Sequence, residues 1–76
     1  MKNEILNASK DYFRSQVERH RLNIENILKN AVGVAEHPDI MDTVEKELEI
    51  MSGYDDKLEV IKKYFNDEKS KELIVD

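Results

Sequence analysis

The sequence predicts an all-α protein folded as an antiparallel two-helix hairpin, with helices over about residues 4–32 and 38–66 and a polar C-terminal tail. Three observations predict it. Apolar residues recur in steps of three and four along both halves of the chain, charged residues make up 38% of it, and only two glycines and one proline interrupt it. A sheet protein would show apolar–polar alternation and more turn residues, and a disordered chain would carry fewer apolar side chains.

In the first helix, Leu6, Phe13, Val17, His20, Ile24, Ile27 and Ala31 form one stripe, with Leu28 at its edge. In the second, Ile40, Val44, Leu48, Met51, Tyr54, Leu58, Ile61 and Phe65 fall within an arc of about 140°. That phase survives Gly53, so one continuous helix is expected, with a break at Ser52-Gly53 as the alternative. Gly33 and Pro38 bracket the turn between the helices. Gly33 suits the left-handed position past a helix end, Pro38 suits a first turn where its missing N–H costs nothing, and His37 is expected to cap the helix or bond within the turn. A connection this short makes its flanking helices antiparallel neighbours.

All 76 residues are expected to form a single helical domain, with residues 1–9 and 67–76 frayed and Leu73, Ile74 and Val75 as a mobile end. A core this small leaves a lone hairpin marginal, so self-association into a bundle is an open alternative. Leu22, Ile50, Val60 and Tyr64 lie off the main stripes. The simpler account is that the tail or ordinary exposure explains them. Alternatively Ile50, Val60 and Tyr64, which share a second face of the second helix with Lys57 among them, form a candidate protein-docking face.

No catalytic, cofactor-binding or metal-binding residues are expected. Gly33 and Gly53 lie too far apart for a phosphate-cradling loop, and Val34 and Tyr54 follow them where that loop needs other residues. The two histidines, His20 and His37, lack the i, i+4 spacing that puts two metal ligands on one helix face. His20, in the middle of an apolar stripe, is read as a hydrogen-bonded core residue. Ser9, Ser15, Ser52 and Ser70 have no base placed by a motif, and two thin helices offer no cleft to tune a carboxylate pair. The chain holds no cysteine, no apolar run long enough to span a bilayer and no signal-peptide pattern at its start, so the cytoplasm is the expected compartment.

Net charge is −5, which disfavours nucleic-acid binding over the whole surface. Yet Lys10, Arg14, Arg19 and Arg21 gather in the first helix and form a candidate contact for DNA or an acidic partner. In the simpler reading this ridge borders the seam and pairs with acids of the second helix. Placing residue 31 opposite residue 40 brings Arg21 to Glu49 and Arg14 to Asp56. As a DNA contact, so few cations would give weak, salt-dependent binding without sequence preference.

The run Val32-Gly33-Val34-Ala35-Glu36-His37-Pro38-Asp39-Ile40, followed by Tyr54, Asp56-Lys57-Leu58 and Tyr64-Phe65, resembles small proteins encoded beside the UvsW DNA helicase in T4-like bacteriophages. The likeness covers residues 20–65. It implies a phage accessory protein of DNA recombination and repair, with that helicase or another recombination protein as partner. It brings no catalytic residues, and the missing phosphate loop assigns any helicase activity to the neighbour. The leading expectation is a non-catalytic accessory module acting by protein–protein contact through a helical face. The alternative is a weak DNA-binding module using the basic ridge, and no membrane contact is expected.

Overall fold

A computed structural model describes residues 2–31 and 38–65 of the chain. Two α-helices, α1 (Lys2–Asn30) and α2 (Pro38–Phe65), pack along their lengths as an antiparallel pair. Their direction follows from the contacts across the seam. Tyr12 and Phe13 meet Tyr54, whereas His20, further along α1, meets Glu47, earlier in α2. At 1.5 Å per residue both helices are about 42 Å long, so neither overhangs the other. The long dimension is 55 Å.

Helix boundaries follow ordinary terminal chemistry. Glu4 and Asp39 sit in the first turns, where the helix dipole is positive, and Lys29, Lys62 and Lys63 sit in the last turns, where it is negative. Helix α1 closes with the Ala31 N–H donating to the Leu28 carbonyl at 3.4 Å, the tighter pattern common at C-termini. The helix begins two residues earlier than the sequence pattern suggested, and residues 2–9 are helical rather than frayed. Helix α2 runs unbroken through Ser52-Gly53, which removes the two-helix alternative. The Gly33–His37 turn, the His37 cap, Met1 and the tail from Asn66 to Asp76, including Leu73, Ile74 and Val75, lie outside the described residues.

The seam is a heptad repeat on both sides. In α1 its positions are 6, 10, 13, 17, 20, 24, 27 and 31, and in α2 they are 40, 44, 47, 51, 54, 58, 61 and 65. Steps of four and three keep one narrow stripe facing the partner helix. With two thin helices, coverage is partial: Ile61, 8% exposed, is the one buried apolar residue among those described, and the other seam residues are half-buried or exposed.

One seam assignment from the sequence is corrected. Leu48 was expected inside but is 52% exposed, and Glu47 takes the seam position beside it. Phe65 keeps the periodicity as the last residue of α2 and is 47% exposed.

Candidate docking surface

Two layers of the seam carry distinct chemistry. In the first, His20 and Glu47 occupy facing seam positions. His20 Nδ1 and Glu47 Oε2 are 2.8 Å apart, and the side chains are only 14% and 13% exposed. Asn23 Nδ2 donates to the other carboxylate oxygen at 2.6 Å. The Asn23 amide, then the His20 ring, hold the Glu47 carboxyl below its ordinary range. His20 is thus a hydrogen-bonded seam residue, and no cluster of metal-ligating side chains occurs among the described residues.

In the second layer, the Phe13 and Tyr54 rings lie 5.9 Å apart across the seam, and Tyr12 meets Tyr54 edge-on at 6.0 Å. The Tyr54 hydroxyl raises the Tyr12 phenol above its ordinary range. Lys57 Nζ stands 4.9 Å from the Tyr54 ring centre and 5.9 Å from that of Phe13. Such cation–aromatic contacts contribute about 0.5–1 kcal/mol at exposed sites.

Outside the seam, the hairpin presents two flanks of opposite charge. On the first, α2 continues the heptad spacing through residues 46, 50, 53, 57, 60 and 64, which brings Lys46, Ile50, Lys57, Val60 and Tyr64 into line. Facing them from α1 are Ile5, Tyr12, Gln16, Arg19, Asn23 and Asn26. The contacts of Tyr12 and Lys57 with the same Tyr54 ring tie the two rows to one side of the hairpin. Ile5, Tyr12, Ile50, Val60 and Tyr64 are all exposed, Tyr64 by 65%. Arg19, Lys46 and Lys57 share this flank with Asp39, near the α2 N-terminus, and with the edge of the Glu47 carboxylate, which Asn23 holds and Arg19 stabilises.

The opposite flank carries Asp11, Glu18 and Glu25 beside Arg14 and Arg21 on α1, and Glu45, Asp55 and Glu59 beside Lys62 on α2. Lys10, Arg14, Asp55, Glu59 and Lys62 line one surface depression, which places both rows on the same side. Exposed Leu28, Met41 and Leu48 lie among these acids.

Of the candidate contact, Lys10, Arg14 and Arg21 keep to one side, where Lys10 and Arg14 line the same depression, and Arg19 stands apart. Arg14 and Arg21 are on the acidic flank, Lys10 is at a half-buried seam position, and Arg19 is on the other side. The expected pairing of the ridge with acids of the second helix is also corrected. Arg14 meets Asp11 on its own helix at 3.5 Å, and Arg21 is held between Glu18 and Glu25, with Nε 3.0 Å from Glu18 Oε2. Carboxylates three and four residues away on the same helix lie nearer than any across the seam. The ion pair lowers the Glu18 carboxyl and raises the Arg21 guanidinium. The register also sits about four residues from the expected one, because His20 meets Glu47 and Phe13 meets Tyr54.

By contrast, Ile50, Val60 and Tyr64 are brought together on one exposed row as the spacing implied. Sequence reasoning missed the neighbours Tyr12, Arg19 and Lys46 on that flank. The signal was present in the heptad step from residue 46 to residue 64, but the flank needs α1 in register before its two rows can be joined. The Ser15 and Ser52 hydroxyls donate to carbonyls of their own helix, at 2.7 and 2.9 Å.

Compared with known proteins, the chain matches no family model, no curated protein and no solved structure. The bacteriophage, DNA-recombination, DNA-repair and helicase-associated assignment implied by the local resemblance is therefore corrected. No relationship supports it, and most of the run that carries the likeness, residues 32–37, lies outside the described residues. No helix among the described residues is long and apolar enough to cross a membrane.

Proposed function

We propose that this chain is a non-catalytic helical module, acting in the cytoplasm, that works by protein–protein contact through the flank bearing Ile50, Val60 and Tyr64. The observation that carries the reading is this row of exposed apolar side chains, continued at heptad spacing beside a seam that buries so little. Nothing in the packing of α1 against α2 requires those side chains to be apolar, and an exposed row costs solubility unless something covers it. The seam is held by its own two layers, which leaves the flank available.

DNA contact through Lys10, Arg14, Arg19 and Arg21 is the weaker reading, because Arg14 and Arg21 are neutralised on their own helix and Arg19 points away from them. A photo-crosslinking side chain at Tyr64 is expected to form protein adducts in the cells that make the chain. The same group at Ser15, on the back of α1, is expected to form none. Absence of protein adducts at Tyr64 removes the docking reading. Tight binding of single-stranded DNA at low salt, lost in an Arg14→Glu/Arg21→Glu variant, would instead establish the DNA reading.

A further inference from the structure

We infer that the occupant of the cationic flank is the acidic flank of a second copy of this chain. The inference rests on the docking reading above and names the partner. Three observations lead to it.

The first is charge. Arg19, Lys46 and Lys57 stand on a flank with two carboxylates, Asp39 near the start of α2 and Glu47 at the edge of the seam. Counting Glu4, on the row of Asp11, Glu18 and Glu25, the opposite flank has seven carboxylates against three cations. Pairing like flanks would set cations against cations or acids against acids, which costs binding energy, whereas pairing unlike flanks gives complementary potentials. A partner surface of the required sign is therefore already present on the molecule.

The second is apolar content. Ile50, Val60 and Tyr64 need an apolar counterpart, and Met41 and Leu48, 70% and 52% exposed, lie among the acids of the opposite flank. Neither is used by the seam. Leu48 in particular replaces nothing there, since Glu47 holds the position that Leu48 would have filled.

The third is the state of the core and the size of the face. Ile61 is the only buried apolar residue among those described, so the hairpin gains most by covering its flanks. Two helices about 42 Å long and about 10 Å wide, side by side, present on the order of 800 Å², the size per partner of a standard stable interface. Contact between unlike flanks is heterologous. Each added copy leaves one flank of each kind free, so assembly continues past the dimer unless the rotation between copies closes a ring.

Sedimentation equilibrium of the purified chain, from low micromolar to several hundred micromolar at low salt, tests this directly. The weight-average mass is expected to climb beyond a dimer and to fall back when salt screens the flanks. Lys46→Glu/Lys57→Glu makes both flanks acidic, and Glu45→Lys/Glu59→Lys removes the acidic excess of the other flank while the cationic one is unchanged. Each variant, folded by circular dichroism, is expected to associate at least about tenfold more weakly than the natural chain. Mixed together, the two variants are expected to bind each other.

Several results overturn the inference. One is a natural chain that is monomeric throughout. Others are a Glu45→Lys/Glu59→Lys variant that self-associates normally, as like-to-like contact through the cationic flank would give, or a mixture of variants that stays apart. In each case the mass of the Tyr64 adduct separates the two claims. An adduct with a different protein keeps the docking reading and removes the second copy, and no protein adduct removes both.

Discussion

The seam between α1 and α2 changes character along its length. Around Phe13 and Tyr54, and on to Ile61, apolar and aromatic groups meet and Lys57 closes over the rings. Seven residues further along α1, His20 and Glu47 meet instead, through a short hydrogen bond that Asn23 completes. The apolar stretch supplies the larger share of the stabilisation, because it removes more hydrocarbon from water. It does little to fix the register, since a stripe with steps of three and four fits nearly as well after sliding by a heptad. The polar layer does the reverse. Sliding α2 by one turn would set His20 against Val44 or Met51 and leave the Glu47 carboxylate against hydrocarbon. A polar residue at a coiled-coil seam position specifies alignment at a cost in stability.

The largest effect is expected from breaking the apolar end. Ile61→Ala removes the best-covered side chain, and with a rim open to solvent the loss falls at the low end of the usual range, about 2 kcal/mol. For a domain of this size the melting temperature should drop by roughly 10 °C. Thermal denaturation followed by circular dichroism measures it, and a change within error would mean that stability resides elsewhere than in this stretch.

Breaking the polar layer should sharpen the contrast. Glu47→Ala strips His20 and Asn23 of their shared acceptor and is expected to lower the melting temperature by less than Ile61→Ala does. His20→Leu/Glu47→Leu makes the seam apolar throughout, so its melting temperature should match or exceed that of the natural chain while the register loosens. Spin labels at Ser15 and Ser52, both exposed, would report a broader distance distribution in the double variant. A distribution as narrow as in the natural chain would deny the pair its aligning role.

How much of this was legible in the sequence depends on which property is asked of it. The two stripes and their antiparallel pairing follow from periodicity and one turn, and periodicity is local. His20 could be read as a seam residue bonded to something, because its neighbours at 17, 24 and 27 are apolar. Its partner could not be named. Glu47 was passed over for Leu48 because hydrophobicity was weighed above spacing, although the step from Val44 to Met51 leaves residue 47 as the seam position. The register, set by placing residue 31 opposite residue 40, lies about four residues from the observed one, which directed Arg14 and Arg21 toward the wrong acids. The Ile50, Val60 and Tyr64 row was found because it lies on one helix. The cationic flank as a whole was not, because it is shared between two helices and exists only once they are aligned.

Acid should loosen the polar layer before the apolar one. The Glu47 carboxyl, held below its ordinary value of 4.5 by Asn23 and His20, ionises more readily in the folded chain than in the unfolded one. Its contribution is therefore complete above the ordinary carboxylate range and is lost as the pH falls through the depressed folded value. Stability should decline as the pH falls through and below the ordinary carboxylate value of 4.5. Glu47→Gln should flatten part of that decline. Glu18→Gln should flatten less of it, since the Glu18 pair with Arg21 is exposed and screened by water. An acid profile identical in Glu47→Gln and the natural chain would place the titrating groups elsewhere.

The smallest effect expected lies outside both layers, at Gly53. Helix α2 passes through it unbroken, and a Cβ built there would meet nothing within 4 Å. Glycine in a helix interior costs about 0.5–1 kcal/mol relative to alanine, chiefly because the unfolded chain loses more freedom on folding. Gly53→Ala should therefore raise the melting temperature of the dilute chain by a few degrees while leaving the Phe13–Tyr54 and His20–Glu47 layers untouched. The position also falls between Ile50 and Lys57 on the cationic flank, so the same methyl group sits where an incoming surface would rest. If that surface packs closely against the helix, the substitution stabilises the isolated hairpin yet weakens its association, and the two effects separate in sedimentation. A Gly53→Ala chain that is less stable even when dilute would mean that α2 needs the glycine's conformational freedom, and a continuous straight helix through that point would no longer stand.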